Sequence, residues 1–486
     1  MIDNSLLDPG LEQIPAVKIM INIGATLDIP TGDYVTGKYG ESILNGGLAP
    51  FTGVVAYGNL FKTTLMDFMT MSGMSRVTAG MEDVARCDTY DTEVNKHENH
   101  IAHLASFHEE FSKECDLFLT RRWIITDKTI VSGTEYYAKK KAYLDNKVKN
   151  KAKLLIDTPF LERDGKTTIK IIFPTFSQVD SFTEFETDDV TEMQKNELGD
   201  AGANTIHMRQ GLAKMRFLME APRLNVGSNN YLLMTAQLGK ETTMNNAGPA
   251  GQVPMQKLSH LKNGDTIKGV TGKFTFLTHN CYQCVKATPM INQGTKTVEY
   301  PRDADDDTNL DTDLNLLQIR NLRSKSGASG MMQNLIVSQS DGILPSLTEF
   351  HYIKEMDRYG IEGSNISYNL VIYPEVKLSR TTVRGKIDSD PKLRRALNIM
   401  AEMCQMEEYW RGDDLKYLCT PKELLDGLVA NGYDMNMILS ETRSWWCLNP
   451  KHRLKFLSTL DILKMAKGEY HPYWLEEDKR NIKKGF

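Results

Sequence analysis

The chain of 486 residues carries 58 Lys and Arg against 63 Asp and Glu, with 41% hydrophobic and 25% charged residues. This balance excludes a disordered or collagenous chain and supplies a sizeable core, divisible at about 150 residues per domain into two to four units; a net charge of −5 also excludes nucleic-acid binding by bulk basicity, so any polyanion contact must be a local stripe. Seven scattered cysteines, an opening without a basic or apolar leader region and the lack of an 18-residue apolar stretch lead us to expect a reduced, cytoplasmic-type protein without a membrane partner.

Residues 1–37 place turn signals (Asp8-Pro9-Gly10, Pro30-Thr31-Gly32-Asp33) around Val17-Lys18-Ile19-Met20-Ile21-Asn22-Ile23, whose alternation predicts a strand in an N-terminal oligomerisation arm. Over 38–380, apolar runs at 53–56, 170–173, 231–236 and 273–278 predict strands, and 63–78, 96–121 and 206–220 predict helices. Strands separated by helices argue for an α/β core with a mostly parallel central sheet. From 381 to 486 the strand signal fades into a helical C-terminal domain: 391–410, then a helix opened by Thr420-Pro421-Lys422-Glu423 and stopped at Gly432, then 454–468. Thr420 and Glu423 have capping-box spacing, and Pro421 takes the first helical position.

Within the core, Gly53 to Leu65 reads as a strand, a tight loop and a helix start. Such a junction can cradle phosphates on backbone N–H groups, here those of Ala56, Tyr57, Gly58, Asn59, Leu60, Phe61, Lys62, Thr63 and Thr64. Lys62 would reach the terminal phosphates and the Thr63 hydroxyl would bind Mg²⁺. Ala56 and Phe61 stand where the consensus has glycine.

The order of motifs around this loop resembles the RecA superfamily, and most closely the UvsX-type recombinases of large phages. Asn45-Gly46-Gly47 corresponds to the family's Gly-Gly turn, Phe61-Lys62-Thr63 to the Phe-Lys-Ser of the T-even version, and Tyr90-Asp91-Thr92-Glu93 to its Tyr-Asp-Ser-Glu. Tyr231–Gln237 is similar to the strand ending in a γ-phosphate sensor, Lys240–Gln252 to the second DNA-binding loop, Ile319–Gly327 to the Lys-Ser-Arg strand and Gly342–Leu347 to the Gly-Ile-Asp-Pro stretch. The likeness runs over about 40–365. It implies a RecA-like ATPase core using ATP and Mg²⁺, with Glu93 as the base that activates water and Gln237 as the switch. It further implies that Lys240, Thr242, Thr243, Asn245, Asn246 and Gln252 contact single-stranded DNA, while Arg323 and Lys325 reach the neighbouring protomer's ATP. The segment 181–205, where a first DNA loop would lie, is acidic and would repel phosphates.

One departure stands out. Ile169–Phe173 occupies the place of the family's Walker B strand, yet Pro174-Thr175 follows where Asp-Ser is expected. Either Thr63, phosphates and water hold Mg²⁺ alone, or Asp91 or Asp157 substitutes. The resemblance implies a DNA-dependent ATPase that forms helical homo-oligomeric filaments on single-stranded DNA and promotes homologous pairing and strand exchange. Single-strand-binding and mediator proteins are possible partners, in a host cytoplasm if the chain is phage-encoded. Alternatives are a RecA-fold scaffold with weakened catalysis, favoured by Pro174 and Ala56, and a ring-type replicative helicase.

Other constellations weigh less. His97, His100 and His103 recur every three residues without the spacing of a zinc helix. Cys281-Tyr-Gln-Cys284 is a lone pair of thiols, and the aspartates 303–313 lack the Gly and Glu of a calcium loop. The lysines between 139 and 153 read mainly as a solvated helix face.

Overall fold

In a computed structural model, residues 14–475 are described apart from 82–83, 109–110, 112–116, 187, 189–199, 241–257, 271–272, 292–293, 295, 303–312, 365 and 411–412. A hairpin of β1 (Asp33–Thr36) and β2 (Ser42–Asn45) precedes the main sheet. That sheet contains β3 (Phe51–Ala56), β4 (Cys87–Asp91), β5 (Trp123–Asp127), β8 (Thr175–Asp180) and β9 (Asn230–Lys240), and it continues with β10 (Asp265–Ile267), β11 (Asn280–Pro289), β12 (Leu314–Ser324), β13 (Met332–Ser338) and β14 (Gly342–Ile343). The two numbers omitted, β6 (Leu155–Leu161) and β7 (Thr168–Ile172), form a separate hairpin.

The order β14-β13-β12-β11-β3-β9-β8-β4-β5 is parallel from β11 to β5 and antiparallel beyond β11. The α/β class and the mostly parallel central sheet are therefore present. All six residues of β3 are buried, as a parallel strand covered on both faces requires. The helices α1 (Lys62–Val77), α2 (Glu98–Ser106), α3 (Gly133–Lys149), α4 (Asp200–Ser228) and α5 (Lys273–Leu277) are interleaved with these strands. Helices α6 (Pro345–Glu355), α7 (Pro391–Tyr409), α8 (Pro421–Ala430) and α9 (Thr459–Ala466) share one hydrophobic cluster near the C-terminal end. The Thr420–Glu423 capping box forms as its spacing predicts.

Four sequence expectations are corrected. The run 170–173 supplies a strand but not one of the central sheet: residues 170–172 lie in β7, which pairs with β6, and the chain enters the central sheet after Pro174 as β8. The run 273–278 is mostly helix α5. Its i, i+3 spacing turns Phe274 and Leu277 inward, and a Cβ added to Gly53 of β3 would come within 3.0 Å of the Phe274 ring. The helix expected over 96–121 closes at Ser106, where its buried face of Ile101, Leu104 and Ala105 ends. Finally, 17–23 makes only an isolated bridge, Ile21 to Leu48.

The stretch from Ile19 to Ile29 lies in this chain's own core, with Ile21, Ile23 and Leu27 fully buried. Asp28 fixes it by accepting from the N–H groups of Ile23 and Gly24. The Gly46-Gly47 turn has to be side-chain free here. A Cβ on Gly47, whose φ is +97°, would come within 2.4 Å of Asp28 Oδ1.

Lys147 departs from the solvated lysine face. It is buried and donates to the Phe173 carbonyl at 2.9 Å and the Thr175 hydroxyl at 2.8 Å, holding the switch from β7 into β8. Burial, with Lys140 nearby, lowers its pKa to about 7. A neutral amine has two N–H donors for these two acceptors. Between about pH 7 and 10.5 the unfolded chain binds a proton that the folded chain releases, so this group makes stability rise with pH. Between pH 7 and 9 the wild type should gain on the order of 2 kcal/mol more than Lys147→Met, read from denaturant unfolding of both proteins at both pH values.

Candidate functional site

The carboxyl ends of β3, β9, β8 and β4 form one edge of the sheet, where open parallel sheets bind ligands. Register puts Ala56 beside Gln237, and Asp180 beside Asp91. From Ala56 the chain turns through Tyr57–Phe61 into α1. Asn59 and Phe61 take φ values of +60° and +55°. Phe61 thus adopts the left-handed conformation for which the consensus uses glycine, at a cost of roughly 1–2 kcal/mol for an ordinary residue. Leu60 and Phe61 are partly buried against the core, packing that offsets this cost. No side chain caps α1 among the described residues, which leaves the first-turn N–H groups available to an anion.

Lys62 Nζ stands 3.5 Å from Glu93 Oε1. The Thr63 hydroxyl donates to Asp180 Oδ2 at 2.8 Å. Asp180 is 1% exposed, accepts a second hydroxyl from Thr235 at Oδ1, and has Lys96 Nζ 3.9 Å from Oδ2. Asp180-Ser181 is an Asp-Ser pair one strand later, at the end of β8, so the residue that meets the Thr63 hydroxyl is Asp180 rather than one that directly follows Phe173. Nor does Asp91 substitute. Its two oxygens accept from the backbone N–H groups of Glu93, Val94, Asn95 and Lys96, which fixes the loop carrying Glu93. Asp157 sits on the β6–β7 hairpin, bonded to Thr168.

Sequence reasoning also missed Lys96 and Asp67. Lys96 Nζ pairs with Asp67 Oδ1 at 2.5 Å and donates to Gln178 Oε1, all inside the protein. Burial opposes the Lys96 charge, but Asp67 and Asp180 outweigh it and raise its pKa.

Gln237 lies within β9, in register with Ala56 at the end of β3. Its backbone N–H donates to Thr183 Oγ1 and its carbonyl accepts from Lys268. Lys240 Nζ pairs with Asp265 Oδ1 at 2.5 Å, and the Tyr57 hydroxyl of the loop donates to the same oxygen at 2.6 Å. Thr242, Thr243, Asn245, Asn246 and Gln252 lie outside the described residues. Arg323 and Lys325 are at the other end of the sheet: Arg323 pairs with Cys281, which pairs with Gly53. The Arg323 guanidinium lies over the Phe276 ring, and Lys325 is exposed. The structure therefore does not bring this pair to the phosphate loop of its own chain.

A cation, free helix N–H groups and a hydroxyl–carboxylate pair are the donor set that a polyphosphate with Mg²⁺ requires. Thr63 and Asp180 are hard oxygen donors that fit Mg²⁺. Among the described residues no group of three His, Cys, Asp or Glu side chains could hold a metal ion. His103 instead faces Asp341 at 3.2 Å, and Cys281 and Cys284 are buried free thiols. No described helix is long and apolar enough to cross a membrane.

No protein-family model matches the sequence, and no curated protein matches it. Among solved structures, the crystal structure of the RadB recombinase is similar at a TM-score of 0.30 and 11% identity, covering 62% of this chain and 92% of that one. At that level the likeness carries no argument about function.

Lys96→Met would leave the Asp67 and Asp180 carboxylates buried without a counter-ion. It should cost about 3–5 kcal/mol of stability. Adding Asp67→Asn should restore part of this loss, because Asp67 then no longer needs a charge partner. Equal unfolding midpoints for the single variant and the wild type would contradict the network.

Proposed function

We propose that the chain is an ATPase of the RecA type that acts as a recombinase on single-stranded DNA. The observation carrying this reading is the junction of Lys62, Thr63, Glu93 and Asp180 at one sheet edge. Lys62 and the first-turn N–H groups of α1 would bind the phosphates, while Thr63 and Asp180 would hold Mg²⁺ through its water shell. When bound, the metal supplies positive charge to the bridging phosphate oxygens. Glu93 is held by the Asp91 loop and takes the proton from the attacking water. Lys62 Nζ stands 3.5 Å from that carboxylate, on the side of the phosphate-binding turn. Gln237, beside the end of β3, registers the γ-phosphate and passes the signal along β9 toward Lys240 and the DNA-binding segment that follows.

The aspartate beside Thr63 supports the ATPase reading over the weakened-scaffold one. The separation of Arg323 and Lys325 from their own phosphate loop supports a role across a protomer interface in a filament, stabilising transition-state charge in trans. We also propose the chain organisation of an arm at 1–37, a core at 38–380 and a helical domain at 381–486.

Two measurements test this function. Hydrolysis of ATP should rise on addition of single-stranded DNA, and Glu93→Gln should slow it by about 10²–10⁴-fold while ATP stays bound. Turnover that is DNA-independent, or unchanged in that variant, would sink the reading.

The trans assignment predicts complementation. Arg323→Ala with Lys325→Ala should lose DNA-stimulated hydrolysis yet keep ATP binding, and mixing it with Lys62→Ala should recover part of the activity at composite interfaces. Mixtures that stay inactive on DNA to which both proteins bind would show that the two cations do not act in trans.

A further inference from the structure

A cavity of about 1060 Å³ runs along α1 between the amino ends of α6 and α7 and the segment 443–454. At one end Thr64 of α1 meets Leu104 and Gly342, close behind the phosphate loop. The other end gathers around Arg76, twelve residues on and so roughly 18 Å along the helix. Here Arg76 and Arg443 both lie over the Trp445 ring, and Arg395 donates to Thr442 next to Arg443. Lys392, Arg394 and Arg453 complete this wall.

Four of these charges, on Lys392, Arg394, Arg395 and Arg443, hydrogen-bond to neutral groups. Arg395 and Arg443 are each only 7% exposed. Arg395 donates to Thr442, Asn398 and the Leu457 carbonyl; Arg443 donates to His452, Cys447 and the Trp445 carbonyl. Arg394 reaches the carbonyls of Ile387 and Asp388, and Lys392 reaches the Asn436 side-chain oxygen. All of these partners are neutral groups. Among the described residues no side-chain carboxylate forms an ion pair with Lys392, Arg394, Arg395 or Arg443, whereas Arg76 pairs with Asp28. Burial accordingly lowers the pKa of both Arg395 and Arg443.

Asp388 lies close enough to Arg394 to feel its charge but is shared with Arg384 and Arg302, and the other carboxylates near the wall are engaged elsewhere. Asp341 pairs with Arg302 and Arg384. Asp390 caps α7 through the N–H groups of Lys392 and Leu393 and accepts from Tyr373. Glu402, which faces Arg395, is held by Thr459 and Asn398. Burial, helped by the neighbouring Glu402, raises Glu349 to about 8, which leaves it mostly protonated at neutral pH.

We propose that the arginine end of this cavity is a second anion site, separate from the phosphate loop, that takes a small phosphorylated molecule. Forked guanidiniums with an ammonium beside them suit phosphate oxygens. The volume is that of a small-ligand site, and Phe107, Tyr373 and Trp445 offer ring surface to an organic portion. Because Arg76 is on α1, the ligand would touch the same helix whose first turn forms the phosphate loop.

The test uses the full chain carrying Lys62→Ala, to disable the loop, titrated calorimetrically with inorganic tripolyphosphate. One saturable site should remain. Combining Lys392→Gln, Arg394→Gln and Arg453→Gln should weaken it at least tenfold. Should that combination fail to fold, Ser440→Glu, at an exposed position lining the cavity, supplies a competing charge and should weaken binding similarly. No saturable binding to Lys62→Ala, an affinity untouched by these substitutions, or many weak salt-sensitive sites (an adventitious ion only) would each overturn the proposal. So would capture of a single-stranded oligonucleotide at this wall in place of tripolyphosphate. If wild type and Lys62→Ala bind with the same stoichiometry, the loop reading fails while the cavity site stands.

Discussion

Asp180 is a buried carboxylate, and most of the site follows from how its charge is accommodated. A lone carboxylate taken out of water is penalised by several kcal/mol, so it needs donors and a counter-ion. Thr235 supplies one hydroxyl from the neighbouring strand, Thr63 another from the start of α1, and Lys96 the nearby positive charge. Three separate elements are thereby held to the end of β8. Lys96 can reach this position because Asp91 gathers the preceding backbone, including the Lys96 N–H, and the same gathering sets Glu93 opposite Lys62. The two aspartates at the ends of adjacent strands thus divide the work: one binds side chains, the other binds backbone.

The strand–turn–helix junction at 53–65 was legible because its signal is local: a buried strand, a turn and a helix start within about a dozen residues. The substitution of Phe61 for glycine shows what that consensus records. The loop needs a positive φ before the helix, and glycine is only the cheapest way to obtain it. Here an aromatic side chain adopts the same backbone and packs against the core, so the shape survives a change that a pattern match treats as a mismatch.

Asp180 was not legible for the opposite reason. Ile169–Phe173 is more apolar than Thr175-Phe-Ser-Gln-Val-Asp180 and so looked like the buried strand, yet the polar run is the one inside the sheet. Its polar groups are satisfied from far away in sequence. Thr175 is met by Lys147 and Asn230, Ser177 by Asp88 and Asn230, and Gln178 by Asp67, Thr70, Thr89 and Lys96. Periodicity measures apolarity along one segment and is blind to partners supplied by others. The same blindness assigned 273–278 to a strand, when β11 already occupied that side of β3 and left room only for a short helix over Gly53.

The link between the phosphate loop and the chain beyond β9 can be weighed by burial. Lys240 has 66% of its side chain exposed, so solvent screens its ion pair with Asp265 and the pair contributes little. Asp265 itself has only 3% of its side chain exposed, and it also receives the Tyr57 hydroxyl. A buried carboxylate cannot give up that donor without a larger penalty. The tie that persists when the lysine swings away is therefore Tyr57 to Asp265. It joins the second residue of the phosphate loop to β10, the strand paired with the end of β9. A shift of the loop would be felt first at this pairing, through a neutral hydroxyl that added salt does little to screen.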